Sequence, residues 1–97
     1  MTPFNTQTKE HFPKLEIYTL PLTRAHGKNH PEVFQVHEVF MSMNTKVKEN
    51  EPEVPDLDKE FKALREVTNQ YALPSDACET YEAVYGMLSE MDDAYYA

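Results

Sequence analysis

The 97 residues suffice for one small domain with a single core, and a second independently folded domain does not fit. Aspartate and glutamate outnumber lysine and arginine by 17 to 9, leaving a formal charge of −8 that repels phosphate backbones and argues against nucleic acid as a partner. Cys78 stands alone and so excludes an internal disulfide, and no apolar run approaches the roughly 20 residues of a spanning helix. The start from Met1 to Glu10 is polar where a signal peptide is apolar, so the expectation is a cytoplasmic chain without membrane contact.

Only two glycines leave little room for the tight turns of an all-β fold, which favours helices joined by short polar loops. Residues 1–8 read as a polar N-terminal tail and 9–97 as a single helical domain. From about Lys9 the positions Phe12, Leu15, Thr19, Leu22 and His26 recur at helical spacing and describe one face of a first helix. Pro21 falls inside that pattern, where it removes an amide and crowds the carbonyl of Ile17, so a kink or break is expected near Leu20.

Gly27 suits the left-handed conformation that closes a helix, Asn29 or His30 can cap the next, and Pro31 fits a first helical position. A second helix then runs to Glu49 or Asn50 on the seam Val33, Val36, Phe40, Met43 and Val47. Its charges suit the helix dipole, with Glu32 at the start and Lys46 and Lys48 near the end. Two prolines, Pro52 and Pro55, interrupt the polar linker that follows.

Asp56 is the expected cap of a third helix with the stripe Leu57, Phe61, Leu64, Thr68 and Tyr71. After Leu73 and Pro74, Ser75 is the expected cap of a fourth, with Cys78, Tyr81, Tyr85, Leu88 and Met91 inward. The economical architecture is all-α: an up-down four-helix bundle whose first helix is kinked or short.

Three histidines, His26, His30 and His37, lie close together in sequence, and imidazole is a frequent metal ligand. A stable site needs three or four converging donors. His26 continues the inward stripe and His30 sits in the loop, so His26, and more weakly His30, are the candidate metal ligands, with a core or capping role as the plainer reading. His11 is expected to be exposed, Cys78 to be an inert buried thiol, and Glu90, Asp92 and Asp93 to form a solvated helix end. Core filling is the default account of most methionines and tyrosines, while Tyr95 and Tyr96 at the terminus suggest a contact with a protein partner or a second subunit. No nucleophile–base pair, phosphate loop or dinucleotide fingerprint occurs.

Two stretches carry a family resemblance. Ala25-His26-Gly27-Lys28-Asn29-His30-Pro31-Glu32 is similar to the Val-His-Gly-x-x-His-Pro-Glu of the hemerythrin-like RIC family, di-iron proteins implicated in repair of iron–sulfur centres. The run from Leu64-Arg65-Glu66-Val67-Thr68-Asn69 through Pro74-Ser75-Asp76-Ala77-Cys78-Glu79-Thr80-Tyr81 resembles that family's turn between its third and fourth helices. The resemblance implies a bundle with two irons held between helices by histidines and bridging carboxylates. One ligand carries over, His26. Asn5 stands where an earlier histidine is expected, Lys48-Glu49-Asn50-Glu51 replaces a His-x-x-x-Glu segment, Val54 falls at another histidine position, and the sequence stops at Ala97 before a last such segment.

The expectation is therefore a shortened relative without an intact di-iron site or other cofactor, more an accessory or interaction module than an enzyme. The alternative is an iron-binding stress or repair protein whose site is rebuilt across a dimer.

Overall fold

Prolines and polar loops divide the chain where the spacing suggests. The computed structural model describes residues 3–51 and 53–97, as the helices α1 (Pro3–His26), α2 (Glu32–Asn50), α3 (Asp58–Val67) and α4 (Glu79–Tyr96). No strand occurs among the described residues. Met1, Thr2 and the linker's Pro52, each with an expectation attached, lie outside them.

The first helix departs most from its expectation. It begins at Pro3, well before Lys9, and residues 3–8 are helical. Phe4 explains why: it is buried, with its ring edge-on to Tyr95 at 5.4 Å and to Phe61 at 6.1 Å. Phe4, Thr8, Phe12, Leu15, Thr19 and Leu22 form one buried stripe, extending the spacing of the inward face by two turns. The helix also continues through Pro13 and Pro21, so no break falls at Leu20 and the element is 24 residues long. Both prolines are exposed, as are Lys9 and Ile17, whose carbonyls lose their amide partners, and water can satisfy them.

In α2 the expected seam is the observed one: Val33, Val36, Phe40, Met43 and Val47 are all buried. Phe40 meets Phe12 of α1 edge-on at 5.2 Å. Capping differs, because Pro31 occupies the N-cap and no side chain bonds to the first turn, so neither Asn29 nor His30 serves.

Helix α3 starts after Leu57, and Asp56 Oδ1 accepts the amide of Asp58 at 3.1 Å. It stops at Val67, before Tyr71. Asn69, Gln70 and Tyr71 all adopt left-handed φ of 53°, 62° and 60°, and the Gln70 amide returns to the Arg65 carbonyl at 2.8 Å, closing the helix end. Thr68 Oγ1 accepts the Tyr71 amide at 2.8 Å.

Helix α4 begins at Glu79 with Cys78 as N-cap, later than a Ser75 cap would place it. Tyr81, Val84, Tyr85, Leu88 and Met91 fill its buried face. Asp92 is not part of a solvated end. It is buried, accepts Arg65 Nε at 2.8 Å and Arg65 Nη2, and takes the Tyr71 hydroxyl at 2.6 Å. Burial, with Asp92 beside it, pushes the Tyr71 phenol up.

Helix α1 packs against α4 and α2, and α2 against α3. Together they form an all-helical globule of 38 × 22 × 20 Å around one aromatic and aliphatic core. Tyr95 packs against it, half-buried, its hydroxyl accepting the Leu57 amide at 2.8 Å, while Tyr96 stays 43% exposed beneath the Arg65 guanidinium.

Candidate functional site

The turn between α1 and α2 meets the loop that leads into α4, and polar side chains from both gather there. His26 ends α1, so its ring projects from the last turn of a helix that Gly27 must leave. Gly27 is not left-handed: its amide bonds to the Thr23 carbonyl at 2.9 Å and its φ is not positive. Glycine is needed for space. A Cβ there would sit 2.4 Å from the Thr23 carbonyl oxygen and 2.4 Å from the Phe34 ring. The chain can therefore turn back tightly at 27, with the amides of Asn29 and His30 both returning to the His26 carbonyl at 3.1 and 2.7 Å.

That turn sets the two histidines 6.3 Å apart, ring centre to ring centre, on the edges of Tyr81. Tyr81 is 1% exposed, and burial raises its phenol above the ordinary value. It forms the floor that both imidazoles lean on.

Above it, each histidine has its own partner. His26 Nε2 lies 3.3 Å from Cys78 Sγ, and His30 Nε2 lies 2.8 Å from Asp76 Oδ1 and 3.1 Å from Oδ2. The other His30 nitrogen, Nδ1, lies 3.3 Å from Glu32. His30 holds the Asp76 carboxyl below the usual carboxylate range. Cys78 is exposed, not buried. The N-cap backbone there is extended, with φ −87° and ψ 176°, so it precedes the first turn and the inward stripe begins only at Tyr81.

The remaining histidines take no part. His37 Nδ1 meets Thr19 Oγ1 at 2.8 Å, about 10 Å along α2 from His30. His11, expected at the surface, is 7% exposed; its Nε2 meets Glu90 of α4 at 2.8 Å and its Nδ1 is buried without a partner. Its burial follows from the early start of α1, which carries residue 11 into the face opposite α4.

His26 is matched with one thiol and His30 with two carboxylates, and among the described residues no three His, Cys, Asp or Glu side chains are grouped to hold a metal. Chemically the cluster offers an exposed thiol beside an imidazole, and an imidazole between carboxylates. Sequence reading singled out His26 and His30 but missed Asp76 and the exposure of Cys78. Their only signal was position in the proline-bounded loop that precedes α4.

No family model matches the chain, and no solved structure does. Among curated proteins it is similar to the iron–sulfur cluster repair protein ScdA of Staphylococcus haemolyticus, 23% identical over 120 aligned residues that take in 92% of this chain and 54% of that protein. The chain thus spans about half the length of that relative. No helix among the described residues is long and apolar enough to cross a membrane.

Proposed function

We propose that this chain is a shortened, hemerythrin-like relative of the RIC-type iron–sulfur cluster repair proteins, an up-down four-helix bundle without an intact di-iron site. In this reading it works in the cytoplasm during stress, more as an accessory or protein-interaction module than as an enzyme. The similarity to ScdA supports the kinship, as do the two matched turns, which bring His26, His30, Asp76 and Cys78 to one end of the helices. The bundle topology is supported by contacts that join the end of α1 to the start of α4, at His26 and Cys78, and the start of α1 to the end of α4, at Phe4 and Tyr95.

One observation carries the reading: His26, the histidine that matches the family's ligand, has its Nε2 3.3 Å from the Cys78 thiol. The test is metal analysis of protein purified without chelator. Less than about a tenth of an iron per chain is expected at a site with this donor set. Two tightly held irons with an oxo-bridge absorption band would overturn it.

A second reading is favoured by the clustering itself. His26 and His30, with iron as cofactor, would contribute half of a site completed by a second subunit. It requires that His26→Ala abolish iron binding while helical circular dichroism stays intact, and equal, negligible metal in both proteins removes it.

A further inference from the structure

The two glycines have opposite relations to the fold. Gly27 is required by its own chain, as the contacts above show. Gly86 is not: it lies in the middle of α4 with ordinary helical φ, and a Cβ placed on it meets nothing within 4 Å. Glycine weakens a helix interior, and here nothing inside the molecule compensates. What a missing side chain provides at such a point is room for something outside to approach the backbone.

The surroundings of that opening are specific. Helical spacing places Glu79, Glu82, Ala83, Gly86, Glu90 and Asp93 on one strip of α4, within about 60° either side of its centre line. The four acids are exposed. Glu90 reaches His11, and among the described residues no Lys or Arg pairs with Glu79, Glu82 or Asp93. The 18 residues of α4 contain no Lys, Arg or His at all. Along the side of the strip that faces α1 runs a groove of about 410 Å³, bounded by Ala83, Gly86 and Met87 from α4 and by Lys14 and Tyr18 from α1. His11 and Glu90 also line the groove, and Ala83 and Gly86 at the middle of the strip, with carboxylates toward both ends of it, match a helix that brings small side chains to the centre and cations to the flanks. Lys14 on the α1 rim gives such a helix a place for an acid.

We propose that this strip is the docking surface for a basic amphipathic helix of a partner protein, seated at Gly86 and held by Glu79, Glu82 and Asp93. Charge complementarity selects the partner: the strip repels anionic lipid and nucleic acid and attracts Lys and Arg. This gives the interaction-module reading a partner chemistry and rests on that reading only there. It needs no metal, so its failure and the failure of the metal test are separate results.

The probe is a fluorescein-labelled amphipathic peptide of about 16 Lys, Leu and Ala residues, followed by anisotropy against the full chain, beside a peptide with Glu in place of Lys. Micromolar binding of the Lys peptide, weakened about tenfold or more between low and physiological salt, is expected, with none for the Glu peptide. Gly86→Leu keeps every charge and should weaken binding about tenfold by filling the opening, with circular dichroism showing the fold retained. Glu82→Gln with Asp93→Gln should weaken it comparably, whereas Glu49→Gln with Glu51→Gln, at the far end of α2, should change it less than about twofold. Equal binding by the Gly86→Leu protein, equal loss from the Glu49 and Glu51 pair, or no binding of the Lys peptide would each overturn the proposal.

Discussion

At the residue scale the two glycines sit in opposite surroundings, one crowded and one open, and the histidines each have an assigned partner. At Gly27 a methyl group would collide with backbone as well as with the Phe34 ring, so Gly27→Ala is expected to lower unfolding free energy by about 1–3 kcal/mol in urea titrations. At Gly86 the same change meets open space and improves helix propensity, so Gly86→Ala is expected to raise it by about 0.5–1 kcal/mol. Opposite signs from one substitution at two sites follow from the surroundings alone. The histidines make the same point. His26, His30, His37 and His11 face a thiol, two carboxylates, a hydroxyl and a carboxylate respectively, and each is held by an element distant in sequence, apart from Glu32 beside His30.

At the scale of the element, α1 shows how burial overrides local preference. Two interior prolines remove the amides that would reach the Lys9 and Ile17 carbonyls, yet the helix persists because Leu15, Thr19 and Leu22 are almost completely buried on its other face. Replacing Pro21 with Ala restores the lost hydrogen bond, and stability should rise by about 1–3 kcal/mol, seen as a higher thermal midpoint. Were it to fall, the ring of Pro21 would be contributing packing that its exposure denies. The end of α3 is the counterpart, a place where strain is accepted. Three consecutive left-handed residues, none of them glycine, are held by the Tyr71 hydroxyl on buried Asp92 and by the Tyr71 amide on Thr68. That tight reversal delivers Asp76 and Cys78 to the histidines.

For the molecule as a whole, the carboxylates set the response to pH. The Lys48 ammonium beside Glu16, the Tyr96 hydroxyl and Lys62 beside Asp58, and His30 beside Asp76 all hold those carboxyls below their ordinary values. A depressed folded-state pKa means the unfolded chain takes up protons first as pH falls. The associated stability is therefore complete above the ordinary carboxylate range, about pH 5 and upward, and is lost progressively below about pH 4. Thermal midpoints recorded from pH 6 to pH 3 should be flat and then drop, and Asp76→Asn should make the drop shallower. All three groups are on the surface, so each contribution is small and salt should diminish it.

Spacing and prolines were enough to place four helices in order and to name the five apolar residues of the α2 seam, though not where α1 and α4 begin or where α3 ends. Those features depend on neighbours three or four positions away, which the order of residues states directly. Residues 3–8 were missed because a polar run hides one phenylalanine, and the weight of Phe4 comes from Phe61 and Tyr95, far along the chain. At the candidate site, His26 and His30 could be named from their turn, but their partners could not. Whether Cys78 is a buried filler or an exposed thiol beside an imidazole, whether Asp92 is solvated or locked to Arg65 and Tyr71, and whether His11 is outside or in, depends on which helix faces which. The order of residues fixed which side chains each helix carries on each face; only packing, by bringing those faces within hydrogen-bond reach across sequence separations of 46 to 79 at His30, His26 and His11, decided what they meet.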